Sequence, residues 1–136
     1  MKSLKASTSI LAAFAMLALG QTAFGATTEE IAKSNCKAAA TACDDTINYC
    51  INKKDNRANA TVINALRDCS TACKATFDYL GRGSSFSKKQ AEMTLEALNL
   101  CTKSCESFSK DNNMKACADE CRKASGNLSK VVAGDK

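Results

Sequence analysis

Cysteine recurs along this chain at helical intervals. Cys36, Cys43 and Cys50 stand seven apart, and Cys69/Cys73, Cys101/Cys105 and Cys117/Cys121 each read C-x-x-x-C. Steps of four and seven return a side chain to the same face of an α-helix. The chain contains no proline, so nothing in it need interrupt long helices. Nine thiols are thereby committed to helix faces, and any fold must give them a common destination.

Four segments carry the apolar spacing of a helix seam. The first starts at Thr27, where Glu30 completes a capping box, and presents Cys36, Ala40, Cys43, Ile47 and Cys50. After the polar run NKKDNRAN, the second presents Val62, Leu66, Cys69, Cys73 and Leu80 and stops at Gly81, in the C′ role. Ser87 with Gln90 is expected to cap the third, which presents Ala91, Thr94, Leu98, Cys101, Cys105 and Phe108. The fourth presents Met114, Cys117, Cys121 and Ala124; it either ends at Gly126-Asn127 or runs on to Leu128 and Val131.

Short connections between long helices predict an all-α fold, an antiparallel up-down four-helix bundle with a cysteine-lined core. In an antiparallel hairpin, residues at equal height have a constant index sum. A last turn near residue 111 gives a sum of about 222, setting Cys101 against Cys121 and Cys105 against Cys117. The first turn gives about 111, bringing Cys43 to Cys69 and Cys36 towards Cys73. To within about one helical turn, the thiols stack in three levels. These are Cys36 with Cys73; then Cys43, Cys69, Cys101 and Cys121; then Cys50, Cys105 and Cys117.

The first 25 residues read as a secretory signal. Lys2 and Lys5 precede a short apolar run from Ile10 to Leu19, and Ala23-Phe24-Gly25 offers small residues for cleavage after Gly25. The run is too short to span a bilayer, so no membrane anchor is expected. The expected organisation is a signal peptide over 1–25 and one cysteine-rich bundle over 26–136, delivered to the bacterial periplasm or secreted. Loss of two lysines with the signal takes the formal charge from +5 to +3, too mild to point to nucleic acid.

A soft, thiolate-only environment matches Cu(I). The two sulfurs of a C-x-x-x-C pair sit on one helix face with Cβ atoms about 5–6 Å apart, wider than the ~3.8 Å a disulfide favours; a bridging metal tolerates that gap. Zinc fits less well, because there is no C-x-x-C knuckle and no histidine, and the stack offers softness rather than preset tetrahedral sites. Iron–sulfur sites use tighter spacings. The candidate ligands are Cys36, Cys43, Cys50, Cys69, Cys73, Cys101, Cys105, Cys117 and Cys121, with Met114 as a further soft donor.

The stretch LCTKSCESFSKDNNMKACADECRK, Leu100 to Lys123, resembles the C-terminal half of the cysteine-rich four-helix-bundle copper-storage proteins. Cys36 to Cys50, followed by DCSTAC, resembles their first two helices more loosely. The resemblance implies a core lined by C-x-x-x-C pairs that takes up many Cu(I) ions as a store or buffer. It also implies soft or nitrogen ligands at one end that let the metal in. Such proteins often carry C-x-x-C links and histidines; this chain has neither. The implied partners are copper ions and a copper donor or acceptor protein, and no oligomeric state follows.

Exported cysteines usually oxidise, and the repeated C-x3-C also resembles a disulfide-stapled helical hairpin. In that alternative the protein is a scaffold or interaction protein with Cys101–Cys121 and Cys105–Cys117 bridges. Cys43–Cys69 and Cys36–Cys73 would extend it, and Cys50 would be left alone; the odd count argues against it. Enzyme readings have little support. Histidine, the usual proton shuttle, is absent, and Glu29-Glu30 and Asp44-Asp45 are adjacent pairs that point to different helix faces. For Met114, index 222 predicts a place opposite Phe108 beyond the last thiol level. There it would be either a ligand at an open mouth or a core methionine plugging the bundle end.

Overall fold

The computed structural model describes residues 25–135. The expected signal segment 1–25 lies outside the described residues except for Gly25. Four helices carry the fold: α1 (Thr28–Lys53), α2 (Ala60–Gly81), α3 (Ser87–Glu106) and α4 (Asn112–Ala133), with one short 3-10 turn at Asn56–Ala58. Each helix packs against two neighbours, α1 on α2 and α4, and α3 on α2 and α4, closing a four-membered ring. Among the described residues there is no strand, and no helix is long and apolar enough to cross a membrane.

The helix starts follow from local chemistry. Thr27 accepts from the Glu30 backbone N–H at 3.1 Å while the Thr27 N–H donates to the Glu30 carboxylate at 2.8 Å, the capping box expected of α1. Asn59 caps α2 by accepting from the Val62 N–H at 3.0 Å. The start of α3 differs from expectation. Its N-cap is Phe86, with no side-chain cap, and the Ser87 hydroxyl instead donates to the Tyr79 carbonyl at the end of α2. Gln90 turns away as well, its amide donating to the Thr94 hydroxyl at 3.2 Å. A carbonyl freed at the end of α2 competes for the serine that local sequence assigns to α3.

The end of α2 departs from the sequence reading, and the end of α4, left open there, falls at the later of its two places. Gly81 is the last helical residue of α2, and the left-handed glycine is Gly83, with φ +60. Gly126-Asn127 does not stop α4, which continues to Ala133 and ends on Gly134 in the left-handed region. Gly126 is on the solvent side, while Leu128 is fully buried. Packing of that inward residue outweighs the roughly 1 kcal/mol that an exposed helical glycine costs.

Asp111 fixes the start of α4 and ties together one end of the bundle. Its carboxylate accepts from the backbone N–H groups of Asn113 and Met114 at 2.9 and 3.1 Å. It also accepts from the Tyr49 hydroxyl at 2.7 Å and pairs with Arg57, which in turn pairs with Asp55. Burial pushes the Asp111 carboxyl up, but these hydrogen bonds outweigh it and hold it below its ordinary range. Asp111→Ala removes a helix cap together with this tie, so urea unfolding of the reduced protein should show a loss of about 1–2 kcal/mol. Asp111→Asn keeps the cap acceptor and should lose less.

Candidate metal centre

The inward seams of the four helices deliver every cysteine to the core. Eight of the nine are fully buried, and Cys117 is 2% exposed. All nine are free thiols. From α1, Cys43 reaches across the bundle to Cys101 at 3.7 Å and to Cys117 and Cys121 at 3.9 Å. Cys121 meets Cys101 at 3.7 Å and Cys69 at 3.8 Å. The Sγ atoms of Cys43, Cys69, Cys101 and Cys121 thus all lie within 4.8 Å of one another, as do those of Cys101, Cys105 and Cys117. Cys101 belongs to both groups, so the sulfurs form one connected array rather than isolated pairs.

The middle level expected from the sequence is therefore present. The outer level is not as expected. Cys105 and Cys117 group with Cys101, whereas Cys50 turns to Met114 and donates to its Sδ at 3.5 Å. Met114 lies in the first turn of α4 above its Asp111 cap, fully buried, where its long thioether fills the space around Cys50. An exposed mouth methionine is not what the structure has; the Tyr49–Arg57–Asp111 cluster stands at this end, and Phe108 is half-buried after the end of α3. At the opposite side of the array Cys36 and Cys73 are buried neighbours, Cys36 being the largest cause of the raised proton affinity of Cys73.

The array does not fill the whole bundle. Leu98, Ala124 and Leu128 complete the core on the Cys36–Cys73 side. There the fully buried hydroxyls of Thr76 and Thr94 are 2.8 Å apart, and Thr94 lies 2.9 Å from the Gln90 carbonyl. Thr76 can donate to Thr94 and Thr94 to the carbonyl, so this polar layer is satisfied without a ligand. This buried polar layer is not legible in the sequence, because Thr76 lies on a seam that apolar periodicity defines. The Tyr49–Arg57–Asp111 tie was equally hidden, since its members come from a helix end, a turn and a cap with no shared period.

Crowding sets the proton affinities of the thiols. Hydrogen bonds from Cys101 first, then Cys43 and Cys69, draw Cys121 down to about 5. Cys117 is also drawn down, chiefly by Cys101 and Cys105. Cys43 and Cys105 are pushed up, their hydrogen bonds to Cys101 being the largest cause. Burial pushes Cys50 up, and the hydrogen bond with Cys36 does the same to Cys73. Cys117 and Cys121 are thus the thiols readiest to ionise, and a cation among them would favour the loss of further protons.

The distances bear on which chemistry this is. The bridges Cys101–Cys121 and Cys105–Cys117 of a stapled scaffold are not formed; Cys101 and Cys121 stand at 3.7 Å, far beyond a 2.03–2.05 Å sulfur–sulfur bond. Cys43 has three sulfurs within 3.9 Å, where a scaffold needs one partner per cysteine. The structure also gathers four thiols into one compact group. Four sulfurs about 2.3 Å from a zinc ion define edges of about 3.8 Å; four of the six edges among Cys43, Cys69, Cys101 and Cys121 are 3.7–3.9 Å, and the other two lie within 4.8 Å. That is one such group; the remaining donors form a trio sharing Cys101, a thiol–thioether pair and a thiol pair.

Among curated proteins none matches the chain. The family model of copper storage protein (Csp) matches residues 26–133, which takes in all four helices and every cysteine. With that match spanning most of the sequence, the chain belongs to the copper storage protein family.

Proposed function

We propose that this protein stores or buffers several Cu(I) ions on the thiolates of its core, in the periplasm or outside the cell. The observation that carries the reading is the connected array in which Cys101 joins the four-thiol and three-thiol groups. Shared, closely spaced thiolates can bridge several soft cations, and the described array has no nitrogen ligand to favour a harder one. Cys50 with Met114 adds a thiolate–thioether donor pair, and Cys36 with Cys73 adds a thiolate pair. The basic, then apolar, then small-residue order of 1–25 supports export before folding. Loading and unloading then involve a copper donor or acceptor protein. The role is storage rather than catalysis.

The test is titration of the reduced protein with a chromophoric Cu(I) chelator. More than one copper per chain should be withdrawn from the chelator, while zinc should bind to at most one equivalent, at the four-thiol group. Uptake of one copper or none would defeat storage.

Loading should also release protons. Cys43, Cys50, Cys73 and Cys105 are pushed up and hold their protons at neutral pH in the empty protein. A thiolate ligand must give its proton up. Copper affinity should therefore rise with pH, and acidification should drive copper off. In weakly buffered solution a pH indicator should report acid released with each addition; copper bound without proton release would place it away from these thiols.

A further inference from the structure

We infer that copper reaches the core sideways, through the groove between α1 and α4, and that Cys117 is the first thiol it meets. This rests on the storage reading and adds the route. The groove has a volume of about 330 Å³ and is lined by Ala42, Asp45 and Tyr49 of α1 and by Ala116, Cys117 and Glu120 of α4. Cys117 forms part of its lining and is the one cysteine of the nine with measurable exposure, at 2%. Behind Cys117 the path is continuous. Cys43 lies 3.9 Å away and passes to Cys101 and Cys121 at 3.7 and 3.9 Å. A cation arriving at Cys117 thus needs no further opening of the fold to be handed from thiolate to thiolate.

Two small residues, one from each helix, line the groove. Ala42 and Ala116 carry nothing beyond Cβ, so neither fills it. Carboxylates of Asp45 and Glu120 stand one on each wall, and such groups favour a cation near the opening. Grooves of about 410 and 500 Å³ also open at the two ends of the bundle, but no cysteine lines either of them. At one, the Tyr49–Asp111 hydrogen bond and the Arg57 ion pairs stand beside the buried Cys50–Met114 pair. At the other, Leu128 and the Thr76–Thr94 pair are completely buried, and Leu80 is nearly so.

Two experiments test the route. The first needs no copper and no variant: the reduced protein is treated briefly with substoichiometric iodoacetamide and its peptides are mapped. Cys117 should be labelled first. Labelling of Cys50 first, or of all nine cysteines together, would overturn a lateral port. The second follows the rate of Cu(I) transfer from a chelator. Ala116→Phe places a ring across the groove at an exposed position and should slow loading roughly tenfold or more, equivalent to ~1.4 kcal/mol on the barrier, at unchanged final stoichiometry. Phe108→Ala opens the end of the bundle outside the groove lining and should leave the rate as it was. An unaltered rate in Ala116→Phe, or faster loading in Phe108→Ala, would overturn the route. Failure of the parent protein to take up copper would instead count against storage, and the labelling order would still decide the port. Should Ala116→Phe fail to fold, labelling of the parent decides alone.

Discussion

Adding Cu(I) to the reduced, empty protein is expected to raise its melting temperature by about 10 °C or more. The empty core is poorly furnished for its size. Of twenty-two buried hydrophobic residues, nine are cysteine and six are alanine, leaving four leucines, one isoleucine, one valine and one methionine to supply most of the apolar area. Small side chains bury less surface and contribute less to stability. A metal that binds only the folded chain adds about 2.7 kcal/mol per site at 100-fold excess over its dissociation constant. For a domain of this size each kcal/mol moves the midpoint by several degrees, about 4–8 °C at the smaller end of the range. Differential scanning calorimetry under reductant measures this directly. A melting curve that stays put while copper is bound would place the metal on the surface.

Cys43→Ala should sharply reduce metal binding. Cys43 touches Cys101, Cys117 and Cys121 and belongs to the four-thiol group, so its loss opens the group at its centre. Copper capacity should fall by at least one ion per chain, and the single zinc equivalent should disappear. The fold should survive, because replacing a buried thiol with a methyl removes one heavy atom and costs on the order of 1 kcal/mol. Cys50→Ala provides the contrast. Its thiol bonds to Met114 outside both thiol groups, so zinc binding should persist and capacity should drop less. Equal losses in the two variants would mean that the array does not act as a connected unit.

Much of this architecture is legible in the sequence because thiol spacing and apolar spacing coincide. The seam positions Cys36, Cys43, Cys69, Cys73, Cys101, Cys105, Cys117 and Cys121 face inward as the period requires, and antiparallel symmetry puts Cys101 against Cys121. What index sums cannot resolve is rotation about a helix axis near a turn. Cys50 lies in the last turn of α1, beside the 3-10 turn at Asn56–Ala58, and there Met114 claims the space that the register assigns to Cys105 and Cys117. Helix ends fail for a related reason. Ser87 has the right identity and place for a cap, yet a carbonyl of another helix holds it. Gly126 carries the signal of a stop, yet Leu128 buried two residues on keeps α4 going. In each case a tertiary contact outweighs a local preference.

The oxidation state of the nine cysteines in the cell decides between a copper store and a stapled scaffold. Mass spectrometry of the protein isolated without reductant from the cells that make it measures that state directly. The account predicts copper bound to the intact chain, and nine free thiols once the metal is stripped under anaerobic conditions. A metal-free chain lighter by about eight hydrogens, the signature of four disulfides, would contradict it.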